Sequence, residues 1–294
     1  MALAAKVREL KPALMLIYLS CMGFLCVLSV QVYMKLRFQP VICLCSMGLI
    51  FGIYTSNRFT DTAEDFTNDI HKAIFFQRQR IFFFLAIGAL VGSIGVLLFL
   101  QKLNWLHFLL LGVGFCYSYR LVPWYSRGSG FRWLRIKEMT FVKNLTVSFL
   151  WGASVFAVPI LYSSARISES AILAELAIGL FLSTLNNTLF DDILDEDGDR
   201  VAGIRTLPTA WGARNSLRLL WSIDCAWLGW VVFRLLSGRL DAAHAAFLFF
   251  LGAYPFLYTG LHCFRKASKG WIDFLTESDL MFFSLGLLLL SRVH

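Results

Sequence analysis

The chain is short of charge. Only 16% of its 294 residues are Asp, Glu, Lys or Arg, 58% are hydrophobic, and the mean hydropathy is +0.66. A water-soluble domain carries about 25% charged residues, so the composition points to a polytopic membrane protein. CxxC is absent. The seven cysteines (Cys21, Cys26, Cys43, Cys45, Cys116, Cys225 and Cys263) fall in or beside apolar stretches. That placement argues for reduced, apolar thiols and against a zinc site or disulfide framework. No Pro/Gly/Ser-rich linker divides the chain, so residues 1–294 read as one domain. No cleavable leader is expected, because the first apolar run is too long for one and lacks a small-residue cleavage site. No nucleic-acid-binding module accompanies the net charge of +8, so a nucleic-acid partner is not expected. No obligatory protein partner is evident either.

What is abundant is apolar sequence. A membrane-spanning helix needs roughly 20 apolar residues. Nine stretches qualify, at approximately 13–34, 39–58, 81–100, 103–122, 140–162, 171–190, 215–236, 242–263 and 273–291. The expected fold is an all-α bundle of nine transmembrane helices. With the N-terminus in the cytoplasm, 20 of the 27 Lys and Arg fall on the cytoplasmic side, as the positive-inside rule requires. The longest polar connections follow the second, fourth and sixth spans. All three would then be cytoplasmic and form a cap over one end of the bundle.

Ten of the nineteen acidic residues lie in two short clusters, after the second and sixth spans. The first runs from Asn57 through Asp61, Glu64 and Asp65 to Asp69. The second comprises Asp191, Asp192, Asp195, Glu196, Asp197 and Asp199, with Arg200 following. Carboxylates beside a bilayer are costly and imply a function. Positions 57, 61 and 65 are spaced i, i+4, i+8, and Asp192, Asp195 and Asp199 are spaced i, i+3, i+7. Each set falls on one face of a helix. Hard oxygen ligands so spaced suit Mg²⁺, which binds one or two carboxylates and completes its shell with water and phosphate oxygens. Two such clusters could hold Mg²⁺ ions bridged by a diphosphate, with basic residues on its outer oxygens. Solvated loop acids are the plainer alternative. An EF-hand is excluded: from Asp195, the sixth position is Arg200 instead of Gly and the twelfth is Thr206 instead of Glu. The spacing Asn57-x3-Asp61-x3-Asp65 is echoed by Asn187-x3-Asp191-x3-Asp195-x3-Asp199, through either duplication or helical periodicity.

These motifs resemble the UbiA superfamily of intramembrane prenyltransferases. Asp192, Asp195 and Asp199 match its second Asp-x2-Asp-x3-Asp motif, and Gly198-Asp199-Arg200-x2-Gly203-x2-Thr206-Leu207-Pro208 continues the family pattern. Asn57, Asp61 and Asp65 match the first motif, with Arg58 where the family often has Asp. The Asn-x-Pro-x-Arg-Pro that commonly follows is missing; Asn68, Arg78 and Arg80 remain. Tyr117-Ser118 and Lys137 resemble the family's Tyr-Ser and Lys elements.

The resemblance implies Mg²⁺-dependent transfer of a prenyl group from a polyprenyl diphosphate to a lipophilic acceptor inside the membrane. The acceptor would be an isoprenoid, carotenoid or aromatic quinone precursor. Asp61, Asp65, Asp195 and Asp199 would be the catalytic carboxylates, and together with Asn57 and Asp192 they would hold the metal. Asn57, Lys137, Arg200, Tyr117 and Lys143 would contact the diphosphate or substrate. Arg200 could instead pair with Asp197 at the surface, and Lys143 could be a snorkelling anchor. A membrane terpene cyclase, a cation transporter and a non-catalytic relative are the competing readings. Asp224, an acid inside the seventh span, could face the substrate cavity or hydrogen-bond to a neighbouring helix, and the second is favoured. Asp273, Glu277 and Asp279 are expected to complement a helix N-terminus.

Overall fold

The computed structural model describes residues 2–60, 66–126, 130–161, 170–201, 203–264 and 269–293. Asp61 and Asp65 therefore lie outside the described residues. The chain is overwhelmingly helical and falls into two compact units.

The first unit holds residues 1–24, 39–143 and 195–206. It contains the first part of α1 (Ala2–Tyr33), then α2 (Pro40–Thr60), α3 (Ile70–Arg78), α4 (Ile81–Phe99) and α5 (Trp105–Ser118). A β-hairpin follows, β1 (Val122–Ser126) with β2 (Gly130–Leu134), then a 3₁₀ turn (Ile136–Glu138) and, later in the chain, α8 (Glu196–Val201). Glycines bring α2 against α4. A Cβ at Gly48 would collide with Ser93 Oγ, and one at Gly52 would collide with Leu90 Cγ. Small residues one turn apart allow this approach in membranes, where packing substitutes for the hydrophobic effect. The C-terminal end of α2, which carries Asn57, is thereby set by the helix packing beneath it.

The second unit holds residues 25–38, 144–194 and 207–294. Most of α6 (Val142–Leu161) belongs to it, along with α7 (Ser170–Leu194), α9 (Leu207–Trp211), α10 (Ala213–Leu236), α11 (Ala242–Cys263), α12 (Lys269–Glu277) and α13 (Asp279–Leu290). Helix α7 is the polar hub of this unit. Ser183 Oγ donates to Asp279 Oδ2 at 3.0 Å, Asn186 Nδ2 to Asp224 Oδ1 at 2.6 Å, and Asn187 Nδ2 to the Thr276 carbonyl at 2.8 Å. Asp224 thus bonds to a neighbouring helix, as favoured from the sequence. Asp279 does stand in the first turn of α13, but it is buried and bonded to Ser183.

Two of the nine expected spans take a different form. Among the described residues, seven helices are long and apolar enough to cross a membrane. The expected fourth span is the 14-residue α5, about 21 Å at 1.5 Å per residue, against a hydrocarbon core of about 30 Å. It stops at Ser118, since Tyr119 is already extended, and Pro123 holds Val122 extended further on. The expected ninth span is broken at Ser278 into α12 and α13. The polar run Thr276-Glu277-Ser278 lies at the break. Thr276 Oγ1 donates back to the Ile272 carbonyl at 3.0 Å, and Ser278 Oγ to the Phe274 carbonyl at 2.6 Å. Such back-bonding competes with the helix ladder and bends it.

The all-helical fold carries one small addition, a hairpin in which β1 and β2 pair antiparallel from Val122↔Leu134 to Ser126↔Gly130. Their aromatic, β-prone run and the Gly130 turn position (φ +71°) are the local signals for it.

Candidate active site

The second acidic cluster divides between the units. Asp195–Thr206 packs with the unit that contains α2, while Asp192 belongs to the other. Helix α8 ends in a Schellman turn: Gly203, at φ +71°, donates to the Arg200 carbonyl, and Ile204 N–H to the Asp199 carbonyl at 2.8 Å. This explains the glycine of the motif, because the left-handed position excludes most side chains.

Four hydrogen bonds assemble the first unit's site. Asn68 Nδ2 donates to Asp199 Oδ1 at 2.9 Å, and Asp199 is only 2% exposed. Ser118 Oγ, at the end of α5, donates to Asn57 Oδ1. Arg135 Nη1 reaches the Thr60 carbonyl at the end of α2, 3.4 Å away. Thr140 Oγ1 donates to the Arg205 carbonyl at 3.1 Å. The end of α2, the end of α5, the turn after the hairpin and the segment 198–205 are thus brought together. Gly198 matters for its missing side chain, since a Cβ there would collide with Asn68 Oδ1.

The basic side of the site is the turn at 135–140. Lys137 is buried, at 6% exposure. Glu138 accepts from Arg135 Nε at 2.9 Å and from the Arg135 N–H at 3.2 Å, with Arg120 Nη2 3.3 Å away. Burial pushes the Glu138 carboxyl up, but the Arg135 hydrogen bonds and the charges of Arg135 and Arg120 outweigh it and hold it below its ordinary value. Glu138 therefore anchors the two arginines beside Lys137.

Other expected residues are placed differently. Arg200 is an exposed partner of Glu196 at 2.6 Å, not of Asp197. Asp192 accepts from Asn144 Nδ2 at 3.0 Å in the second unit. Tyr117 and Lys143 are half-buried. Among the described residues, no three His, Cys, Asp or Glu side chains converge as a metal site, and Asp61 and Asp65 are outside that set. Sequence reasoning gives Asn68, Arg135, Glu138 and Thr140 no role. Only the position of Asn68 after the first motif is a hint.

The donor set suits Mg²⁺. Asn57 and Asp199 offer hard oxygens, and Asn68 Oδ1 is buried without a hydrogen-bond partner among the described residues. An amide oxygen left unpaired beside a buried carboxylate is costly unless a cation or water meets it.

The sequence profile of the UbiA prenyltransferase family matches residues 16–286. The chain belongs to the UbiA prenyltransferase family. Solved family structures share its fold. A UbiA homolog from Aeropyrum pernix K1, in its apo form, superposes with a TM-score of 0.65 at 13% identity, covering 92% of this chain and 98% of that one. A UbiA homolog from Archaeoglobus fulgidus bound to DMAPP and Mg²⁺ gives 0.64 at 15% identity, covering 98% and 99%. A digeranylgeranylglyceryl phosphate synthase from Thermococcus sibiricus is 30% identical over 102 residues, which is 35% of this chain and 32% of that protein. The match thus spans about a third of that relative's length.

Proposed function

We propose that this chain is a Mg²⁺-dependent prenyltransferase, acting as one domain over residues 1–294, that moves a prenyl group from a polyprenyl diphosphate to a lipophilic acceptor within the membrane. The observation that carries the reading is the Asn68–Asp199 bond, which ties the second motif to the segment just after the first. The family match supports it, as do the Archaeoglobus fulgidus homolog bound to DMAPP and Mg²⁺ and the digeranylgeranylglyceryl phosphate synthase.

Asn57, Asp61, Asp65, Asp195 and Asp199 would hold the metal. Mg²⁺ would supply Lewis-acid neutralisation of the departing diphosphate. Lys137, buried beside the Arg135–Glu138–Arg120 cluster, would bind diphosphate oxygens. Lys143 and Tyr117 would line the same head-group region. Arg200 would join only by leaving Glu196. Ser118, which donates to Asn57 Oδ1, would hold the orientation of that amide as a metal ligand. The distribution of Lys and Arg along the sequence supports a cytoplasmic position for this face.

The test is a panel of prenyl diphosphates with membrane lipid extract and Mg²⁺, with products identified by mass. The expected result is diphosphate release with a prenylated lipid, reduced at least ~100-fold in Asp61→Ala and in Asp195→Ala. Full Mg²⁺-dependent release by both variants would sink the site assignment. A cyclic hydrocarbon formed without acceptor would make the protein a terpene cyclase, and metal flux into proteoliposomes without diphosphate release would make it a transporter.

A further inference from the structure

A β-hairpin connects α5 to α6. Its pairing puts Pro123 opposite Trp133 and Tyr125 opposite Phe131, so these four share one face. All four are exposed: Tyr125 by 71%, Phe131 by 63% and Trp133 by 53%. Phe131 and Trp133 meet edge to face, with ring centroids 5.6 Å apart. The opposite face carries Trp124 across from Arg132. An isolated two-stranded hairpin is marginal in water, and a wholly apolar exposed face marks an interaction site.

Two observations identify what covers it. The hairpin leaves α5 and leads into α6, a helix of membrane-spanning length and hydropathy, so it lies at the bilayer boundary. Its surroundings are basic, with Arg120, Arg132 and Arg135 set against the acid Glu138. Trp and Tyr favour the headgroup level of a bilayer. The unpaired strand edges need water or headgroup partners, which keeps the hairpin out of the hydrocarbon core. We infer that the hairpin docks on the surface of an anionic phospholipid bilayer. The Pro123, Tyr125, Phe131 and Trp133 face lies in the acyl–headgroup boundary, and Arg132 is left at the level of the lipid phosphates.

The test uses full-length protein bearing one environment-sensitive label, attached through Tyr125→Cys, Phe131→Cys or Arg132→Cys, with the exposed thiols Cys225 and Cys263 replaced by serine. The protein is reconstituted in vesicles of phosphatidylcholine alone or mixed with phosphatidylglycerol. Labels at 125 and 131 should be quenched about twofold more by bromolipids than the label at 132, and less by aqueous iodide. Adding phosphatidylglycerol should deepen the labels at 125 and 131, and Arg132→Gln should remove that increment. Equal iodide quenching at 125, 131 and 132 overturns the proposal, because the face is then open to water. Protection at 125 and 131 from both quenchers also overturns it, because a protein surface or a second copy then covers the face. Indifference to phosphatidylglycerol overturns the choice of an anionic surface. None of these readouts depends on catalysis, so they stand apart from the prenyltransferase assignment.

Discussion

Asn68 Nδ2 donates to Asp199 Oδ1 at 2.9 Å, across 131 positions of the chain. The bond uses one end of the amide and leaves Oδ1 buried and unpaired among the described residues. Asn68 thereby acts as a positioning residue for a carboxylate of the second motif. Asn68→Ala is expected to raise the Mg²⁺ concentration needed for half-maximal diphosphate release by about 10–100-fold. Gly198→Ala should do the same, because its Cβ would displace the Asn68 side chain. A Mg²⁺ titration of both variants checks this. An unchanged half-maximal concentration in both would remove Asn68 from the metal site.

Ser118 fixes the orientation of the Asn57 amide. Loss of the hydroxyl in Ser118→Ala is expected to lower Mg²⁺-dependent diphosphate release about 10-fold, while Ser118→Thr, which keeps a hydroxyl, restores most of it. Failure of threonine to rescue would mean that Ser118 acts through packing alone.

Glu138 gives stability a definite pH dependence. Its carboxyl is held below the ordinary value in the folded protein, so the unfolded chain binds its proton first as pH falls. Its contribution is complete above the unfolded glutamate pKa of about 4.3 and is lost as pH drops from there through the lower folded value. Thermal unfolding in detergent should show this acid loss in the wild type and a smaller one in Glu138→Gln. Identical acid profiles would contradict the role given to the Arg135 and Arg120 contacts.

In the second unit, Asn186 is the hydrogen-bond donor to the buried Asp224. Asn186→Ala leaves that carboxyl without its donor and is expected to destabilise the protein by about 1–3 kcal/mol. The double variant Asn186→Ala/Asp224→Ala should recover part of the loss, because it removes the buried group along with its partner. Thermal unfolding of Asn186→Ala, Asp224→Ala and the double variant decides it: a double variant less stable by the sum of the single effects would show that the pair is not coupled.

The legible part of this protein is what depends on neighbours along the chain. Apolar length marks membrane helices, since a span is a local property of about 20 residues. The spacing of Asp192, Asp195 and Asp199 carries the resemblance to the family, but the single helical face it predicts is interrupted, because α7 ends at Leu194 and α8 begins at Glu196. Local reading is blunter where polar residues interrupt an apolar run. Helix α5 stops at Ser118 and the last stretch breaks at Ser278, so apolar length alone draws a full span where the chain has a short or a divided helix.

Membrane class and the two acidic clusters are written in composition and short-range periodicity, and the family in the resemblance of its sequence motifs; the bare chain was enough for each. Folding was needed to establish that Asn68 holds Asp199, that Ser118 holds Asn57, and that Glu138 gathers Arg120 and Arg135 beside Lys137. These partners are distant in the chain or belong to turns, and a hydrogen bond forms only when packing has brought donor and acceptor within about 3 Å.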